Sequence, residues 1–137
     1  MRTAIDTNIL SALWSNEPLA EKIPQRLGEA KTHGALLIAP VVYVELLAYP
    51  KATESFVNRF LSETGISIDF DLEESVWVDA GRRFARYANQ RRKSGHDEPK
   101  RLLADFLIGS HALLQADRLM SMDAARYRQY FPELRLI

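Results

Sequence analysis

The stretch MRTAIDTNILSALW, residues 1–14, decides the reading of the fold. Arg2–Ile5 has the character of a short buried strand, Asp6 ends it, and Asn8–Trp14 turns helical with Asp6, Thr7 or Asn8 available as its cap. The same succession of strand, polar turn and helix continues along the chain. Ala20, Ile23, Leu27 and Ala30 recur at helical spacing despite Pro24, and Gly34 stops the chain before a strand over 35–39. Pro40 opens the apolar helix VVYVELLAY. A second helix follows Pro50, with Phe56, Val57, Phe60 and Leu61 on one face, and Ile66–Phe70 is a short strand. Leu72, Val76, Ala80, Phe84 and Ala88 mark a long helix. Pro99 opens another helix reaching about Gln115, Arg118–Met122 is a strand, Ala124–Tyr130 is a helical turn or two, and Leu134–Ile137 is a last strand. Strands alternating with helices predict an α/β/α sandwich around a mainly parallel sheet of four or five strands. The length, 137 residues, predicts one domain over 1–137. In such folds the site lies outside the carboxyl ends of the strands.

Composition narrows the function classes. The absence of cysteine excludes a disulfide scaffold, thiolate metal sites and a thiol nucleophile. A hydrophobic fraction of 47% with 26% charged residues argues against disorder. No run of about 18 apolar residues exists to span a bilayer. The N-terminal apolar stretch is too short for a signal-peptide core, so the expected setting is a soluble cytoplasmic one. His33, His96 and His111 are not spaced as a zinc site, and neither phosphate-binding glycine loops nor a GxSxG motif occur. His111 reads as a satisfied core side chain, and Trp14 and Trp77 as core or partner-facing anchors.

Four acids stand in unusual company. Asp6 and Asp123 each follow a predicted strand, which places both at the carboxyl edge of the sheet; each also suits a helix cap, and Arg126 lies three residues beyond Asp123. Glu45 sits among apolar neighbours in VVYVELLAY, with no basic residue at i±3 or i±4. Asp105 repeats the pattern in LLADFLIGSHALL, where Arg101 is its one basic helical neighbour and Gly109 and Ala112 leave space on the same face. Gathered at one point, several carboxylates need a positive partner. Oxygen-only ligation selects a hard cation, Mg²⁺ or Mn²⁺, and such sites hydrolyse phosphodiesters with metal-activated water.

The net charge is zero, 18 basic against 18 acidic residues, yet it is unevenly spread. Gly81–Arg101 holds eight basic residues and two acidic ones, for +6, and the remainder carries −6. Arg82 and Arg83 fit a solvated helix face with Asp79 pairing Arg83. Arg86, Arg91, Arg92, Lys93, Lys100 and Arg101 are the candidate nucleic-acid-contacting cations, because a cationic rim draws in a phosphate backbone.

AIDTNIL, the isolated Glu45 in VVYVELL, ADFLIGSHAL and SMDAARYRQYFPELRLI occur in that order and together resemble a PIN domain, specifically the VapC-type toxin ribonucleases. The resemblance implies a PIN-like fold and a Mg²⁺- or Mn²⁺-dependent endoribonuclease acting on tRNA or rRNA. By position, Asp6, Glu45, Asp105 and Asp123 match the family's catalytic and metal-binding acids. Asn8 and Ser121 match its supporting polar positions, Asn8 holding a metal water or a backbone group. A small VapB-type antitoxin and a homodimer are the partners it implies. Two other readings compete: a PIN-like protein that binds RNA or an antitoxin without cutting, and a Mg²⁺-binding receiver domain. The receiver requires an adjacent acidic pair after the first strand, whereas Asp6 is followed by Thr7 and Asn8.

Overall fold

The computed structural model describes residues 1–97 and 100–137. Its elements are β1 (Thr3–Ile5), α1 (Thr7–Trp14), a 3-10 turn (Pro18–Lys22), α2 (Ile23–Thr32), β2 (Leu36–Ile38), α3 (Pro40–Leu47), α4 (Glu54–Thr64), β3 (Ile66–Ile68), α5 (Glu74–Lys93), α6 (Leu103–Gln115), β4 (Arg118–Met120) and α7 (Ala124–Arg128). The four strands form one parallel sheet in the order β3-β2-β1-β4. Every residue of β1, β2 and β4 is buried. That pattern requires cover on both faces, and the helices flanking the sheet supply it.

Local chemistry accounts for most boundaries. Pro24 lies in the first turn of α2, where its missing N–H costs nothing, so the proline that looked disruptive begins the helix. Thr53 caps α4 by accepting the Phe56 N–H at 3.1 Å, and Gly65 ends that helix at φ +72°. α5 starts at Glu74, which leaves Leu72 in the preceding loop. α6 starts at Leu103; Pro99, expected to open it, lies outside the described residues, as does Glu98. The expected last strand is shorter than predicted. Leu134 closes a turn onto the Phe131 carbonyl, so only Arg135–Ile137 runs beside β4, with a single parallel bridge between Leu119 and Leu136.

The sheet order fixes where a site can form. From β1 the chain moves outward through β2 to β3, then returns to lay β4 on the other side of β1. The switch point therefore lies between β1 and β4, and Asp6 and Ser121 follow directly on those strands. α5 packs along α6, and the rings of Tyr87 and Phe106 meet at 5.5 Å between centroids. The basic carboxyl end of α5 is thereby set near the first turn of α6, which bears Asp105.

Candidate active site

Asp6 is 4% exposed and does not cap α1 with its side chain. Its Oδ2 instead accepts from the Ser121 hydroxyl at 2.8 Å and from the Tyr127 hydroxyl at 2.8 Å. Ser121 is in turn fully committed. Its oxygen accepts from the Asp123 N–H at 3.0 Å and from Asn8 Nδ2 at 3.3 Å, so its one proton is left for Asp6. Asn8 Oδ1 accepts the Met122 N–H at 3.1 Å. Asn8 therefore ties the turn after β1 to the turn after β4, and of its two anticipated duties the structure displays the backbone one.

Glu45, half-buried on α3, accepts the Thr7 hydroxyl at 2.6 Å on Oε1. Asp105, 8% exposed, accepts the Leu102 N–H at 3.2 Å on Oδ2 and so helps to start α6. Its ion-pair partner is Arg126 at 3.6 Å, from α7 rather than from its own helix. Asp123 is more open than Asp6 and Asp105, its side chain 45% exposed. It caps α7 by accepting the Arg126 N–H at 3.3 Å, and its Oδ2 lies 3.2 Å from Arg126 Nε. The capping and i+3 pairing that its sequence allowed are both present.

Three of the acids feel one another. Burial raises the proton affinity of Asp6, the Ser121 and Tyr127 hydrogen bonds oppose that, and the Asp105 charge raises it further. Burial likewise raises Glu45; the Thr7 bond works against it, Asp6 and Asp105 add to it, and Arg126 relieves it. Burial first, then Asp6 and Asp105, keep the Tyr127 phenol protonated and donating. Among the described residues no three acidic or histidine side chains sit close enough to make a ready metal cage. The guanidinium of Arg126 lies among the acids, paired with both Asp105 and Asp123. The donor set nonetheless fits a hard cation: it is all oxygen, and like charges are gathered with one chain cation against them.

Tyr127, Thr7 and Arg126 were not singled out as site residues from sequence. Tyr127 has only its spacing, four beyond Asp123, and that is equally the mark of an ordinary helical turn. Gly109 needs a correction. The space beside it is filled by the Phe131 ring, whose Cζ lies 2.5 Å from where a Gly109 Cβ would stand, so it does not open room at Asp105.

The basic segment divides into two. Arg83 is 8% exposed and structural: it binds Asp79 at 2.9 Å, Glu133 at 2.6 Å and the Tyr130 carbonyl, with its guanidinium 4.5 Å from the Phe131 ring centroid. Arg86, Arg92, Lys93 and Lys100 are exposed, and Arg91 and Arg101 are half-buried. Of the histidines, His111 is fully buried against Asp69 at 3.0 Å. Trp14 packs edge-on against Tyr49, Phe56 and Phe60, beside a cavity of about 520 Å³ that none of the four acids lines, and Trp77 is exposed. No helix among the described residues is long and apolar enough to cross a membrane.

Comparison with known proteins fits this geometry. A search of curated proteins finds no significant match. Among solved structures, the fold is similar to a chain of VapBC2 from Rickettsia felis bound to a DNA fragment from the promoter of that pair, with a TM-score of 0.72 and 21% identity, over 100% of this chain and 98% of that one. It is also similar to a chain of VapBC-1 from nontypeable Haemophilus influenzae, with a TM-score of 0.67 and 22% identity, over 100% and 97%. The family profile of the PIN domain matches residues 3–131, which takes in all four acids and both strands of the switch point, and the chain belongs to the PIN domain family.

Proposed function

We propose that this chain is a Mg²⁺- or Mn²⁺-dependent endoribonuclease serving as the VapC-type toxin of a toxin–antitoxin pair. The observation that supports the reading is that Asp6, Glu45 and Asp105 are tied into one region: Glu45 accepts from Thr7, the residue next to Asp6, and Arg126, which pairs with Asp105, stands next to Tyr127, which donates to Asp6. Three separate elements deliver them to the carboxyl edge of the sheet, where they bear on one another's charge. Each is anchored through one oxygen: Asp6 by Ser121 and Tyr127, Glu45 by Thr7, Asp105 by the Leu102 N–H. Such anchoring costs little at the moment of reaction. These three acids would hold the ion, with Asp123 on the open side. A bound Mg²⁺ or Mn²⁺ supplies Lewis acidity at the scissile phosphate and lowers the pKa of the attacking water.

The exposed cations Arg86, Arg92, Lys93 and Lys100, with Arg91 and Arg101, are proposed to carry the RNA backbone toward the acids, tRNA and rRNA being the substrate classes. The likeness to chains of VapBC complexes supports a VapB-type antitoxin as partner; a homodimer is the assembled form we propose with it. Membership of the PIN family removes the receiver-domain reading. A second reading, binding without cleavage, has one observation in its favour, the guanidinium that already pairs with two of the acids.

Cleavage of a total RNA pool by the purified protein separates the two. The wild type is expected to cut with Mn²⁺ and to stop with chelator. Asp6→Asn and Asp105→Asn, checked as folded by circular dichroism, should lose about a hundredfold or more in rate. Equal Mn²⁺-dependent cleavage by both variants would show the reading to be wrong.

A further inference from the structure

We propose that Arg126 is a built-in competitor of the divalent cation, holding the acids together in the metal-free protein and giving way when the ion binds. The inference rests on the reading of Asp6, Glu45 and Asp105 as the ion-holding acids. Arg126 reaches across two elements: Nε lies 3.2 Å from Asp123 Oδ2 beyond β4, and Nη1 lies 3.6 Å from Asp105 Oδ1 on α6. Its charge also bears on Glu45 and Asp6. It thus serves all four acids, as a bound cation would.

The chain's other well-paired arginine shows what a permanent fixture looks like. Arg83 has a side chain only 10% exposed, held by two carboxylates and a backbone carbonyl, with an aromatic ring under the guanidinium. The Arg126 side chain is 37% exposed, and each of its ion pairs is made by one nitrogen, the longer at 3.6 Å. It therefore leaves without unpacking the core, since only the side chain of a short surface helix has to turn. It also has reason to leave. A guanidinium a few ångström from a divalent ion, in a partly desolvated site, is repelled by it, and the two compete for Asp105 Oδ1, since Oδ2 is taken by the Leu102 N–H. Metal affinity is then set by an exchange of cations, and loss of the arginine removes the competitor.

The test is Mn²⁺ binding, followed by the electron paramagnetic resonance of free Mn²⁺, which needs no RNA cleavage. Arg126→Met keeps the length of the side chain and removes its charge. R126M is expected to bind Mn²⁺ about tenfold or more tightly than wild type. Arg126→Lys should stay near wild type, and D6N should lose binding. If D6N loses binding while R126M binds no tighter than wild type, the competitor role is wrong and the metal site stands. If the wild type binds no Mn²⁺, or D6N binds as it does, the metal site itself falls and the inference with it. Should R126M fail to fold, the wild type still decides the matter. The Arg126 Nε–H resonance, assigned by its absence in R126K, is expected to move on Mg²⁺ titration, and an unmoved resonance at saturation would overturn the exchange.

Discussion

The two hydroxyl donors to Asp6 converge on one oxygen, and this determines how a single substitution behaves. In D6N an amide oxygen in the place of Oδ2 still accepts from Ser121 and Tyr127, while the buried negative charge disappears. Because Asp6 is raised above its ordinary 3.8, chiefly by burial, its ionised form costs stability above its folded pKa. Below 3.8 the group is protonated in folded and unfolded chains alike, and the cost vanishes. D6N should therefore be more stable than wild type at pH 7.5 in chelator, by about 0.5–2 kcal/mol, and the gain should shrink as the pH falls toward 3.8. Urea unfolding at several pH values measures it. A D6N protein less stable than wild type at pH 7.5 would mean that the ionised carboxylate is favoured by its surroundings. The same substitution that is expected to stop cleavage is thus expected to strengthen the fold.

Among the elements, α6 shows how two effects of similar size compete. Gly109→Ala within a helix gains about 1 kcal/mol of propensity. Here the new Cβ would stand 2.5–2.8 Å from three atoms of the Phe131 ring, which is 2% exposed and cannot swing into solvent. Overpacking of that kind costs about 1–3 kcal/mol, so G109A is expected to be net destabilising by about 1–2 kcal/mol. Phe131→Leu in the same chain should recover part of the loss, and a double-mutant cycle by chemical denaturation reads the coupling. Additive effects would show that the contact does not govern the site. This is also where sequence reading meets its limit. A small residue on a helix face looks the same whether the gap admits an ion or a ring from twenty-two residues further on. Glu45 was legible because burying a charge among Val42, Leu46 and their neighbours is costly enough to need a reason. The strand–helix alternation was legible because strands buried on both faces are mostly apolar, as LLI in β2 is, and the two polar residues that β1 and β4 bury, Thr3 and Arg118, bond each other. Tyr127 was not, since its hydroxyl acquires its meaning only when β4 lies beside β1. The last strand was overcalled because three apolar residues among the last four cannot reveal that Leu134 is spent on a turn.

For the whole molecule, the zero net charge conceals two poles. The cationic one is built at the carboxyl end of α5, where Arg91, Arg92 and Lys93 also suit the helix dipole. A solvated face and an RNA-guiding rim differ in salt response. Binding of a fluorescent single-stranded RNA, measured by anisotropy in chelator, should weaken with salt along a log–log slope of about −0.7 for each phosphate neutralised. Replacing Arg91, Arg92 and Lys93 by alanine should reduce that slope by roughly 2 units. An unchanged slope would place the RNA elsewhere.

The sheet order has a consequence in time. The partners that hold Asp6 and Asn8 come from Ser121, Met122 and Tyr127, more than a hundred residues later in the chain. The two hydroxyls that hold the Asp6 carboxylate are therefore missing until β4 has been synthesised and has docked against β1. Contacts so distant in sequence form late in folding. A chain still being translated thus carries this carboxylate without the lock that aims it, and becomes competent only once β4 and α7 are in place. For a protein proposed to cut RNA, that order spares the machinery producing it.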